Sequence, residues 1–144
     1  NALTESWNKY VPINEVKFIF GNPPFVGRPS RTEVQQKELA IWTKDIPNGA
    51  NLDYVAAWYL CATYWLQKNP ELQIAYVSTN SICQGEQVVP LWKTLFSQGI
   101  QINFAHQTFK WSNEAKGNAA VYCVVIGFSK QSKTKKLFIY NTFE

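Results

Sequence analysis

Glu15-Val16-Lys17-Phe18-Ile19-Phe20-Gly21-Asn22-Pro23-Pro24-Phe25 is the stretch on which the reading of this chain turns. Residues 15–20 are dense in β-branched and aromatic side chains, the composition of a buried strand. Pro23 and Pro24 lack amide hydrogens and lock φ, so no ladder continues through them. The strand is therefore expected to end abruptly in a rigid loop.

Outward from that loop, helix and strand patterns alternate. Residues 31–42 hold helix formers with a poor apolar stripe, which predicts a surface helix, and 45–49 read as a turn. Asn51 opens the strongest helical pattern, with Leu52, Val55, Ala56, Tyr59 and Leu60 at helical spacing and Trp58, Cys61, Ala62 and Trp65 on the other faces. Asn51 and Asp53 are its N-cap candidates. A helix apolar nearly all round is expected to be buried on a sheet, and it stops at Lys68-Asn69-Pro70. Residues 73–78 read as the next strand, so strand, helix and strand suggest a right-handed parallel crossover.

A second helix is expected over 84–97, with Pro90 in its early turns and Gly99 past its end. Residues 100–105 alternate apolar and polar as a third strand, 107–118 are polar, and 119–128 form a continuous apolar run expected to be buried on both faces. Lys130, Lys133, Lys135 and Lys136 suggest a solvated hairpin tip, with phosphate binding as the lesser alternative, before a pairing strand at 137–140. The expected fold class is α/β: three parallel strands with helices on both faces.

Of the 144 residues, 46% are apolar and 17% charged, enough for one core of its own. The chain has no methionine, and it reads as a piece of a longer polypeptide. No run approaches the length of a membrane span and the first residues do not form a signal peptide, so no membrane association is expected. Cys61, Cys83 and Cys123 are widely separated among apolar neighbours, which suggests buried free thiols in a reducing cytoplasm. With one histidine, His106, a zinc site is not expected. The net charge of +4 permits a polyanionic partner without demanding one.

Asn22-Pro23-Pro24-Phe25 resembles the catalytic motif of S-adenosylmethionine-dependent amino methyltransferases acting on adenine N6. Read alone, the tetrapeptide is also compatible with an ordinary turn after a strand. The wider order of features supports the resemblance: the motif strand, Asn51-Leu52-Asp53-Tyr54 opening a buried helix, the strand Ala75-Tyr76-Val77-Ser78-Thr79-Asn80-Ser81-Ile82, and residues 108–117 before a long apolar strand. From about Val16 to Phe128 the chain is similar to the C-terminal half of a gamma-class DNA adenine methyltransferase. It is particularly similar to the methyltransferase region of single-chain restriction-modification enzymes of types IIG and IIL.

The resemblance implies a partial Rossmann-like, class I methyltransferase fold, with the late apolar strand inserted antiparallel near the edge of a mostly parallel sheet, and a site-specific DNA methyltransferase. Its donor would be S-adenosylmethionine and its substrate double-stranded DNA, with host-DNA protection beside a nuclease as the setting. The chemistry explains the motif. The adenine N6 lone pair is delocalised into the ring, so two acceptors aimed at the two amino hydrogens are needed to draw the nitrogen toward sp³ geometry. The Asn22 side-chain oxygen and the Pro23 carbonyl would be those acceptors, Pro24 would stiffen the loop, and Phe25 would stack on the base. The target nucleotide would have to leave the duplex.

In the family an aromatic residue before the late strand covers the other face of the base; Phe109 is the matching position and Trp111 the second. Lys110, Lys116, Arg28 and Arg31 flank these loops and could meet phosphates. His106 is read as a strand-end residue rather than an acid or base.

The aromatic-glycine donor loop that the family places upstream has no match in residues 1–17. The chain is thus expected to be a fragment, residues 1–144, of one methyltransferase domain, without the donor loop or the target-recognition region and inactive alone. The remainder of the parent chain is an implied partner. Two rivals remain: a protein methyltransferase acting on a glutamine amide, which poses the same delocalisation problem, and a non-catalytic DNA-binding remnant of the fold.

Overall fold

The structure, a computed structural model, describes residues 1–111 and 121–140. Its five strands are β1 (Phe18–Gly21), β2 (Gln73–Thr79), β3 (Gln101–Trp111), β4 (Val121–Ser129) and β5 (Lys136–Phe138). Its helices are α1 (Glu33–Thr43), α2 (Ala56–Lys68) and α3 (Val88–Ser97). The strands form one mixed sheet in the order β1-β2-β4-β3-β5. β1 and β2 pair in parallel, β4 is antiparallel to both β2 and β3, and β3 and β5 pair in parallel. Four strands thus run one way and β4 runs against them.

The antiparallel strand was expected near the edge; it sits inside the sheet and separates β2 from β3. Its composition explains the position. Val124, Ile126 and Phe128 are buried on one side, and Cys123 and Gly127 are buried on the other. A strand apolar on both sides gains more between two neighbours than at a rim. β5 takes the rim instead, and all three of its residues are exposed. The expected hairpin between β4 and β5 does not form. The lysine-bearing link carries the chain to the outer side of β3, where Lys136 pairs with Phe104 and Phe138 with His106. Lys130 donates to Gln67 Oε1 (2.5 Å) and Lys133 to Gln73 Oε1 (2.7 Å), at the end of the sheet away from the Asn22 loop.

Helices were expected on both faces. Among the described residues α2 and α3 pack on one face, and α1 lies outside α2. Tyr59 of α2 is the hub: its ring stacks on Phe128 (5.3 Å) and meets Tyr76 and Trp92 edge-on, while its hydroxyl shares a 2.8 Å hydrogen bond with Ser78. Burial raises the pKa of the Tyr59 and Tyr76 hydroxyls well above the usual tyrosine range. The core therefore lies between α2 and the face carrying Ile74, Tyr76, Ile126 and Phe128. The opposite face stays outside that core. There Phe18 (64% exposed) and Phe20 (83%) project, so β1 is buried on one side only rather than on both.

Several boundaries differ from the expected ones. α1 begins with a capping box: Thr32 Oγ1 accepts from the Gln35 amide and Gln35 Oε1 from the Thr32 amide. α1 is less superficial than its stripe suggested, because Glu38, Leu39 and Thr43 are buried. α2 starts at Ala56 rather than Asn51, and neither Asn51 nor Asp53 caps it; the N-cap is Val55, with no side-chain bond. α3 starts at Val88, preceded by two short 3-10 turns, with Pro90 in its first turn. β3 runs on to Trp111, six residues past the expected end at 105, because register shifts at 102/104 and 106/109 absorb its irregular pattern. The first shift turns Phe104 to the face opposite Ile102. Residues 119 and 120, the expected start of the late strand, lie outside the described residues. Cys61 and Cys123 are buried free thiols, but Cys83 is exposed in the turn after β2.

Candidate active site at the carboxyl ends of the strands

β1, β2 and β3 point the same way, so the loops that follow them share one end of the sheet. The residues just past β1 are Asn22 (exposed), Pro23 (buried), Pro24 (exposed) and Phe25 (half-buried). Buried Pro23 anchors the loop, and its neighbour Asn22 stays outside. Among the described residues the Asn22 carboxamide has no hydrogen-bond partner. An exposed amide with fixed backbone on its far side can offer its oxygen to a ligand without first breaking a protein bond.

The loop is tied down beyond Phe25. Tyr54 N–H donates to Val26 O (3.0 Å). Arg28 to Ser30 form a 3-10 turn. Arg31 Nη1 donates to Leu52 O (3.1 Å) and Nη2 to Ala50 O (3.0 Å). Burial lowers the Arg31 pKa, nearby Asp53 opposes that shift, and Arg28 adds to it. Asp53 joins the two loops: Oδ1 accepts from the Arg28 amide (3.3 Å) and Oδ2 from Ser81 Oγ (2.7 Å). Gln87 closes the arrangement, accepting from the Asp53 amide (2.8 Å) and donating to Asn51 O (3.1 Å).

Phe109 and Trp111 lie near the end of β3, with ring centroids 6.1 Å apart. Phe109 is level with Cys123, and Cys123 with Thr79, so the Phe109 side chain stands in the same row as the end of β2. Two strands intervene between β1 and β3, which places their axes roughly 14 Å apart. The Asn22 loop and Phe109 therefore share an end of the sheet without touching through it. Phe109 is half-buried and Trp111 is 38% exposed. Lys110 alternates to the other face and is exposed. Residues 112–117, including Lys116, lie outside the described residues.

Beside the Asn22 loop a groove of about 760 Å³ is lined by Arg28, Arg31, Glu33, Gln36 and Lys37, among others. Three cations face one carboxylate there. His106 lies inside β3, not at its end. Its ring stacks on Phe138 (4.6 Å, 14°) and Tyr140, and Nδ1 bonds to the Tyr140 hydroxyl.

Sequence reasoning missed Lys37 of the groove and the bridging roles of Asp53, Ser81 and Gln87. Lys37 follows from α1 packing beside the loop. A polar residue placed between a turn and an apolar helix reads as a cap from local pattern, so the long-range bridge of Asp53 has no local signature.

The family model described as "MmeI, DNA-methyltransferase domain" matches residues 1–140. A curated relative, DNA methyltransferase A of Bacillus subtilis (strain 168), is 42% identical over 147 residues, covering 99% of this chain and 16% of its own length. Among solved structures, the type IIL restriction-modification enzyme MmeI in complex with DNA is 47% identical with a TM-score of 0.93; 99% of this chain and 19% of that one are covered. The DrdV–DNA complex aligns at a TM-score of 0.57 and 16% identity over 92% of this chain and 15% of its own. A nuclease-deletion mutant of the type ISP enzyme LlaGI, bound to a DNA substrate mimic, aligns at 0.52 and 18% identity over 87% of this chain and 14% of its own. These last two share the fold alone. The chain spans less than a fifth of each of these relatives.

Proposed function

The chain belongs to the MmeI DNA-methyltransferase domain family, and from that premise we propose that it forms the acceptor half of the active site of a restriction-modification enzyme that methylates adenine N6 in double-stranded DNA. The observation that carries the reading is the exposed Asn22 carboxamide, unpartnered among the described residues, beside buried Pro23 at the carboxyl end of β1. The surrounding sheet is a partial Rossmann-like, class I methyltransferase fold.

The target adenine leaves the duplex and enters between the Asn22 loop and the end of β3. Asn22 Oδ1 and the Pro23 carbonyl accept the two N6 hydrogens and so make the nitrogen lone pair available. Phe25 stacks on one face of the base, and Phe109 or Trp111 covers the other. The 760 Å³ groove, through Arg28 and Lys37, meets the sugar-phosphate backbone beside the flipped nucleotide. Arg31 shapes the loop through its two carbonyl contacts and adds charge to the same groove. Lys110 extends the basic surface on the β3 side, and Lys116, outside the described residues, is assigned a phosphate contact on the family resemblance alone. His106, packed in its aromatic stack, does not act as a base.

S-adenosylmethionine, when bound, supplies an electrophilic methyl group. The described residues suit the acceptor side of such a site and contain no glycine-rich loop for the donor. The donor pocket is assigned to other parts of the polypeptide, as is target recognition.

Nucleoside mass spectrometry of DNA treated with the complete polypeptide and labelled S-adenosylmethionine tests the proposal. N6-methyladenine is the expected product. N4-methylcytosine would overturn the adenine assignment. No methylated base from a folded, donor-binding polypeptide would overturn DNA as substrate and favour a protein amide.

A further inference from the structure

We infer that Asp53 is a positioning residue for methyl transfer, tying the Asn22 loop to the turn after β2; the inference rests on the function proposed above. Residues 50–54 lie between two loops that come from different strands. On one side they hold the loop after β1 through the Tyr54 amide on Val26 O, the Arg28 amide on Asp53 Oδ1, and Arg31 on the carbonyls of Ala50 and Leu52. On the other side they hold the turn after β2 through Ser81 Oγ on Asp53 Oδ2 and through both ends of the Gln87 amide. Ser81 Oγ shares a further 2.8 Å bond with Thr79 Oγ1 at the last residue of β2.

Asp53 is the one side chain of the segment with an oxygen on each loop. Its two acceptors give the loop after β1 a fixed reference at the end of β2. Without them the loop keeps contacts to residues 50, 52 and 54, and Gln87 still holds that segment from beyond β2, but the direct side-chain link between the loop and Ser81 is lost. The arrangement also accounts for the late start of α2: the Asp53 carbonyl accepts from the Ala56 amide, but its carboxylate faces away from the helix to the loops. A base held between Asn22 and a ring on β3 needs the first loop and the sheet end to keep their separation, because a misplacement of about 1 Å can cost on the order of 100-fold in rate.

The chemistry requires two linked polar positions rather than a negative charge. In Asp53→Asn, Oδ1 still accepts from the Arg28 amide and Nδ2 donates to Ser81 Oγ, whose proton turns from position 53 to Thr79 Oγ1. Asp53→Ala removes both links.

The test uses the complete polypeptide with active-site concentration fixed by donor binding. Asp53→Ala is expected to lower the single-turnover methylation rate about 10- to 100-fold, the misplacement range above. The dissociation constants for DNA and donor should stay within about twofold, so the loss falls on the chemical step. Fluorescence of 2-aminopurine at the target position should show a less confined base, and Asp53→Asn should restore most of the rate. An unchanged rate in Asp53→Ala overturns the inference, as does equal loss in the Ala and Asn variants, which would implicate charge instead.

Hydrogen exchange reads the tie without reference to substrate. Peptides covering residues 22–31 and 79–84 should exchange faster together in Asp53→Ala and return toward wild type in Asp53→Asn. If the wild-type polypeptide methylates no DNA, the functional reading fails. Exchange unchanged in Asp53→Ala overturns the tie in that case too.

Discussion

Gly127→Ala tests the packing of the β3–β4 pair on the sheet face opposite α2. Gly127 lies opposite Phe104, and a Cβ built there would stand 2.0 Å from Phe104 Cε1 and 2.4 and 2.5 Å from Cδ1 and Cζ. Carbon atoms pack at about 3.5–4.0 Å, so the ring must retreat by roughly 1.5 Å. It would then lose its edge contacts with His106 (6.0 Å) and Phe138 (6.4 Å). Overpacking of this kind costs about 1–3 kcal/mol. At about 1.4 kcal/mol per factor of ten, amides of β3 and β4 that open with this pair should exchange roughly 5- to 150-fold faster. Mass spectrometry of their peptides reads this inside a large polypeptide. The same substitution in a Phe104→Ala background has no ring to meet, and it should be neutral or stabilising by up to about 1 kcal/mol, since glycine weakens a strand interior. The reversal of sign is the diagnostic result. Equal destabilisation in both backgrounds would refute the reasoning, because the cost would then come from the backbone and not from the ring.

Other expectations follow from the core. Tyr59→Phe leaves the buried Ser78 hydroxyl without its partner and should cost about 1–3 kcal/mol, with Tyr59→Phe/Ser78→Ala costing less than the sum of the single changes; strict additivity in exchange of α2 and β2 would contradict the bond. The Cys61 thiol is pushed up to about 12 by burial from its usual 9, so the folded chain holds a proton that the unfolded chain releases. Its contribution is whole below about pH 9 and is lost as the pH climbs from 9 to 12. Tyr59 and Tyr76, raised by burial, act in the same direction. Denaturant titrations should show falling stability across that alkaline window, and rising stability would reverse the assignment. A water-soluble disulfide reagent should modify exposed Cys83 before Cys61 and Cys123, and faster as pH rises because burial also holds the Cys83 thiol up. Simultaneous modification of all three in the folded protein would contradict their placement.

The motif loop was legible because its signal is covalent. Two adjacent prolines after an apolar run stop a strand whatever surrounds them, and the structure places residues 22–25 directly after β1. The burial of α2 was legible because its apolar residues cover every face. Strand order was not, since the apolar run of β4 states that the strand is covered on both sides without saying by which neighbours. The period of residues 100–105 identified β3 but not the face of Phe104, because the shift after Ile102 interrupts the alternation, an irregularity that depends on pairing with β4. Phe18 and Phe20 look like core residues in sequence and are exposed in the described structure. Asp53 sits where a cap is expected, but its partners are 25 and 28 residues away.

Single-turnover methylation of a DNA duplex by the complete polypeptide and its Asn22→Ala variant, at saturating S-adenosylmethionine, tests the central claim most directly. Loss of one oriented acceptor predicts a rate lower by about 100- to 1,000-fold, with the DNA dissociation constant little changed. A rate within a few-fold of wild type would contradict the account, since Asn22 would then not hold the amino group that receives the methyl.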